Sequence, residues 1–148
     1  MSDSLLGSMH ISAAGMSAQR SRMDIVAQNI ANADSTRTAD GGPYQRRQVV
    51  FQSVPPESRF SRVLSTSSDN QRLQSVKISE VVKDTRPPQE VYNPSHPDAD
   101  GNGMVKLSNV NTVEEMVDLN SAARTFESNA SVMEASKRMF MKSLELLR

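Results

Sequence analysis

From Val113 to its last residue the chain runs 36 positions without a glycine or a proline. Nothing in that stretch stops a helix, and its apolar residues recur at helical spacing. Met116, Leu119, Ala123, Phe126, Ala130, Met133, Phe140, Leu144 and Leu147 fall on one line whose steps alternate between three and four, with Lys137 the only polar member. Such a seam keeps one narrow face toward a partner helix and has the register of a coiled coil. Thr112, followed three residues later by Glu115, predicts a capping box at its start. Glu114, Glu115 and Asp118 crowd the N-terminal end and Lys137, Arg138, Lys142 and Arg148 the C-terminal end, as the helix dipole favours. At a rise of about 1.5 Å per residue this helix is about 54 Å long, whereas a compact globule of 148 residues is about 38 Å across. The expectation is an elongated molecule in which part of the seam is left for another chain.

The opposite end predicts a second helix, from Leu5 to about Ala33. Leu5, Met9, Met16, Met23, Val26 and Ile30 form its seam, with Ser12 and Gln19 filling the gaps. Ile11, Ala14, Ala18 and Ile25 make a second, flatter face. Gly15 weakens a helix by up to about 1 kcal/mol relative to alanine, so it points to a bend or a close neighbour. Asn29, Asn32, Asp34 and Ser35 then offer side chains that compete for backbone hydrogen bonds and end the helix.

Between the helices the pattern changes. Asp40-Gly41-Gly42-Pro43 predicts a turn, and Tyr44 to Val54 a strand closed by Pro55-Pro56. Residues 57–72 are rich in serine and arginine and predict an exposed loop. Leu73, Val76, Ile78, Val81 and Val82 suggest another strand, and Met104 to Leu107 a last short one. Pro87, Pro88, Pro94 and Pro97 predict an extended, irregular stretch between these two. The expected fold is mainly α. Long N- and C-terminal helices (1–35 and 110–148) pair as a coiled-coil-like core around a small, irregular, β-containing middle region (36–109).

Composition bounds the function. Aromatic residues make up 4% of the chain and tryptophan is absent, so little core is available to offset the entropy of ordering. Ordering against partners is expected. Lysine plus arginine balance aspartate plus glutamate at 17 each, which leaves no basic footprint for nucleic acid. No cysteine is present for disulfides or metal thiolates. Met1-Ser2-Asp3-Ser4 lacks the basic start of a secretory signal, and no run approaches the roughly 20 apolar residues that span a bilayer. Neither a cleaved signal nor direct membrane insertion is therefore expected.

Chemistry-bearing motifs are few. Asp98-Ala99-Asp100-Gly101-Asn102-Gly103 matches the first half of a calcium loop, but the twelfth position is Asn109 rather than a bidentate glutamate, and prolines replace the entering helix. A turn needs the same residue types. His10 and His96 have no ligand-spaced companions. No serine stands in a nucleophile motif. Arg46 and Arg47 beside Tyr44 fit a sheet-edge or intersubunit ion pair better than a phosphate contact. No catalytic, cofactor or metal residues are assigned.

Several separated stretches resemble one family. Val26-Ala27-Gln28-Asn29-Ile30-Ala31-Asn32-Ala33-Asp34 is similar to the N-terminal signature of flagellar rod and hook proteins. The stretches from Asp40 to Phe51, from Tyr92 to Lys106, from Asn109 to Met116 and from Ala122 to Asn129 resemble the proximal rod branch of that family. Met104 stands where an aromatic residue is more usual, and 57–72 look longer than the family's minimal connection. The resemblance implies a non-enzymatic subunit of the flagellar basal body, in a hollow shaft that spans the periplasm and transmits torque. It implies passage through the flagellar type III export apparatus. It also implies contacts with copies of itself, other rod proteins and the protein joining the rod to the inner-membrane ring. The implied interface comprises the two seams already named together with Asn29 and Asn32. The competing reading is a helical adaptor or export chaperone that binds a single partner; it would stop at a finite complex, whereas a head-to-tail subunit adds without closing.

Overall fold

The computed structural model describes residues 2–39, 41–54 and 74–145, the side chains of residues 2–6 excepted. The loop expected at 57–72 lies outside the described residues, as do the side chains of Leu5 and Leu147. Six elements follow in order: α1 (Ser2–Ala31), β1 (Arg47–Val54), β2 (Ser75–Lys83), β3 (Gln89–Tyr92), β4 (Met104–Leu107) and α2 (Thr112–Glu145). The fold is thus mainly helical, with β1 paired to β2 and β3 paired to β4 in two small sheets.

Helix α1 stops where the asparagines predict. The Asn32 amide shares the carbonyls of Gln28 and Asn29 at 3.1 and 3.2 Å, and its side-chain Nδ2 donates to the Gln28 carbonyl at 2.8 Å. Carbonyls freed by the end of the helix thereby keep partners. Helix α2 starts differently from expectation. Its N-cap is Asn111, whose Oδ1 accepts from Val113 N at 3.1 Å and whose carbonyl accepts from Glu115 N at 3.0 Å. The capping box of Thr112 and Glu115 does not form, because the Glu115 side chain is turned inward and fully buried. Asparagine caps at least as well as threonine.

The stretch expected to be irregular after Pro88 contains a strand. Gln89–Tyr92 pairs antiparallel with β4 in the register Gln89↔Leu107 to Tyr92↔Met104. Its two prolines precede the strand and so cost no ladder bond. Gly103, at φ +74°, turns the chain into β4; a Cβ there would lie 2.9 Å from the Tyr92 ring, so both the backbone angle and the space call for glycine.

The chain forms two compact units, one of Met1–Arg20, Phe51–Ser79 and Ala123–Arg148, the other of Ser21–Val50 and Glu80–Ala122. In the first, Ser8 Oγ meets Ser136 Oγ at 3.4 Å, and a Cβ on Gly15 would stand 3.0 Å from Asn129 Nδ2. Gly15 therefore serves close approach of a neighbour. In the second, Arg22 Nη2 reaches Asp118 Oδ1 at 3.2 Å and Asn29 Nδ2 reaches Glu115 Oε2 at 2.9 Å. In each unit, α1 residues of low number meet α2 residues of high number, as antiparallel segments do. Ser8, Gly15 and Asn29 meet Ser136, Asn129 and Glu115 at spacings that are multiples of seven. These contact lines lie one position to the side of the apolar seams. Small and polar residues make these contacts, while on the seams Ser12 and Val26 are buried and Met9, Met16, Met23, Phe126, Met133 and Phe140 are half-buried.

Candidate functional site

Tyr44 and Arg46 occupy alternate positions where the chain enters β1, so both point to the same side, and both are buried. Tyr44 closes a small apolar core with Ala33 and Val110. Its hydroxyl donates to Asn29 Oδ1 at 3.0 Å. Asn29 uses every valence of its amide. Nδ2 donates to the Arg47 carbonyl at 2.8 Å and to Glu115 Oε2, while Oδ1 also accepts from Arg47 N at 3.0 Å. The second asparagine of the first signature, Asn32, only caps the helix.

Arg46 carries the opposing charge. Its Nε donates to Glu115 Oε1 at 2.5 Å, and its other nitrogens lie 3.5 Å from Glu114, 3.6 Å from Asp118 and 4.0 Å from Asp84. Its backbone amide donates to Asn109 Oδ1 at 2.7 Å, and Asn109 Nδ2 donates to the Arg86 carbonyl at 2.9 Å. Ser108 Oγ donates to the Ala33 carbonyl at 2.5 Å. The result is a saturated polar lock joining the end of α1, the entry to β1 and the first turn of α2. Arg46 and Glu115 are thus an internal ion pair, not the sheet-edge or intersubunit pair that sequence suggested. Arg47 instead places its guanidinium over the Tyr44 ring, 5.8 Å from the centroid.

Two titrations reflect this packing. Burial pushes the Tyr44 phenol above its ordinary value, opposed by Arg47 and aided by Glu115. The Arg86 side chain, then its backbone amide, hold the Asp84 carboxyl below the usual range. The lock offers no reacting pair: its acceptors and donors are spent on one another. Asp98, from the half calcium loop, accepts a hydrogen bond from Thr36 Oγ1 at 2.8 Å. Among the described residues no three His, Cys, Asp or Glu side chains are grouped to hold a metal, and no helix is long and apolar enough to cross a membrane.

The predicted interface residues separate into groups. Val26 and Asn29 are buried. Met9, Met16, Met23, Ile30, Asn32, Leu119, Ala123, Phe126, Ala130, Met133 and Phe140 are half-buried. Met116 and Leu144 are exposed at 53% and 47%, and Val113 and Val117 are exposed beside Met116. Sequence reasoning gave Arg46 a sheet-edge or intersubunit partner, Glu115 a capping role and Asn109 a place in the half calcium loop, and it passed over Ser108. Alternation with Tyr44 was the available signal for Arg46; a charged residue in a helix's first turn ordinarily reads as a dipole or capping partner, which hid Glu115.

The chain matches known proteins over nearly its whole length. Residues 9–37 match the family of flagella basal body rod proteins, and residues 102–146 match the C-terminal family of flagellar basal body rod FlgEFG proteins. The chain is 39% identical to the flagellar basal-body rod protein FlgC of Borreliella burgdorferi over 97% of this chain and 98% of that one. It is 39% identical to FlgC of Bacillus subtilis over 94% and 95% of the two chains, and 37% identical to FlgC of Salmonella typhimurium over 96% and 97%. With near-complete coverage at both ends of the comparison, the chain belongs to the FlgC family of flagellar basal-body rod proteins and is a structural subunit of that rod.

Proposed function

We propose that this subunit builds the proximal part of the rod, packing with other rod proteins into the hollow shaft that carries torque across the periplasm. Its seams serve as the subunit contacts: Met9, Met16, Met23, Val26 and Ile30 on α1, and Met116, Leu119, Ala123, Phe126, Ala130, Met133, Phe140 and Leu144 on α2. Leu5, Leu147, Asn29 and Asn32 complete the proposed set. The observation that carries this reading is the half-buried state of the methionine and phenylalanine line. Met116 and Leu144 on the same line are exposed, so apolar surface remains for neighbours. The family resemblance supports delivery through the flagellar type III export apparatus and contact with the rod-to-inner-membrane-ring junction protein.

Ala130→Glu tests the seam. Glutamate keeps helix propensity close to that of alanine. It would place an unpaired charge in the contact, at a cost of several kcal/mol repeated in every subunit. In a strain lacking the native gene, this variant should be made and exported but absent from purified basal bodies. Ser128→Glu, at an exposed position off the seam, should incorporate normally. Equal incorporation of the two variants would remove the seam from the proposal.

A further inference from the structure

In the second unit, a groove of about 420 Å³ opens beside the polar lock, between the Gly41–Arg47 segment, the end of β2, Pro88 and Lys106. Arg47, Lys83, Arg86 and Lys106 line it, and no carboxylate does so among the described residues. Arg86 is paired with Asp84 at 2.7 Å. Arg47, Lys83 and Lys106 have no carboxylate within ion-pair distance among the described residues. Glu90 is opposite Lys106 in the strand register but does not close on it. The chain is neutral overall, and its acids lie outside the groove: Glu114, Glu115 and Asp118 face Arg46, while Asp98 and Asp100 line an adjoining hollow that shares Gly42, Pro43 and Lys106 with it, Asp98 accepting from Thr36. Among the described residues, the groove itself is therefore lined by cations and by no carboxylate.

We propose that this groove receives a carboxylate-bearing segment of a neighbouring protein subunit. The inference rests on the reading of the chain as a rod subunit held among others, and it assigns one surface and one chemistry to that contact. Volume decides between a protein segment and a small free anion. A space of about 420 Å³ falls in the range of grooves that enclose drug-sized groups, far more than a single inorganic anion fills. Its cations come from three separate segments, which suits several carboxylates spaced along a chain better than one compact ion. Pro43 and Pro88 stiffen the walls, so little order must be lost on docking. Such a contact adds long-range attraction and register, and it weakens as salt rises.

The test uses the full chain with a six-residue glutamate peptide and, separately, inorganic phosphate as probes. The amide resonances of residues 41–47, 83–88 and 106–109 should move with the peptide at low salt. The shifts should vanish in Lys83→Gln/Lys106→Gln protein, whose other resonances stay in place. Glutamine at 106 avoids setting a second carboxylate opposite Glu90. In cells lacking the native gene, the double variant should be exported like the natural chain but recovered in basal bodies at least tenfold less. Lys77→Gln, exposed on β2 and not among the groove's lining residues, should incorporate fully. Groove shifts with phosphate but not with the peptide would overturn the protein-segment assignment in favour of a small-anion site. Normal incorporation of the double variant would overturn the groove contact alone. Absence of the natural chain itself from basal bodies would instead overturn the rod reading on which the contact rests.

Discussion

Glu115 has a fully buried side chain whose two oxygens are divided between Arg46 and Asn29. Truncating one member of such a pair leaves the other charged and dry, which costs about 3–5 kcal/mol. Glu115→Ala should therefore lower the urea midpoint sharply, and Arg46→Met with Glu115→Leu should recover most of the loss. A double variant as unstable as the single would show that geometry, not the stranded charge, sets the cost. Tyr44 gives a second readout of the same lock. Its phenol must keep its proton to donate to Asn29, and burial raises its pKa. A raised pKa in the folded state contributes stability that is present below the unfolded value of about 10 and is lost as pH rises through the folded value. In Tyr92→Phe protein Tyr44 is the only tyrosine. Its ultraviolet titration should have a higher midpoint when folded than in denaturant; equal midpoints would mean that the phenol is not buried as described.

At the scale of elements, Asn111 rather than Thr112 decides where α2 begins. Asn111→Ala should cost about 1 kcal/mol in thermal or urea unfolding, and Thr112→Ala only a few tenths. The reverse order would restore the capping box. Periodicity made both helices legible, because a run without glycine or proline and with apolar steps of three and four admits few other conformations. The stretch from Tyr44 to Val54, with its apolar run Val49-Val50-Phe51, announced β1 by a different signal, a β-favouring run closed by prolines. Strand β3 escaped because the prolines around it dominate the local signal, while its partner β4 is distant in sequence. The polar contacts between the two helices escaped for a related reason. Hydrophobic patterning finds the apolar line, but Ser8, Gly15, Asn129 and Ser136 meet because they are small or can hydrogen-bond, and neither property has a hydropathy signature. Charge pairing across the fold, such as Arg46 with Glu115, cannot be read from a single sequence at all.

At the scale of the molecule, the two units differ in what holds them. In the second unit Val26, Ala33, Tyr44, Val105, Val110 and Ala122 are buried together with the saturated lock. In the first, the buried residues among those described are Ser12, Ala18, Ser75 and Ser136, all small. Gln19 Oε1 is also buried there without a hydrogen-bond partner among the described residues, a penalty of about 1–3 kcal/mol. Burial at about 25 cal/mol per Å² gives such side chains little with which to offset the cost of ordering. Helix α2 runs from one unit into the other, so it should not open as a single block. In dilute monomer, amides of residues 123–145 and 9–20 should exchange with clearly lower free energies than those of 112–122 and 22–31, because local opening follows local burial. Incorporation into rods should then raise protection most along 123–145, where Phe126, Met133 and Phe140 gain covering neighbours. Uniform protection along α2 in a proven monomer would mean that the first unit needs no partner for stability, and the proposed role of the seam in assembly would lose its energetic basis.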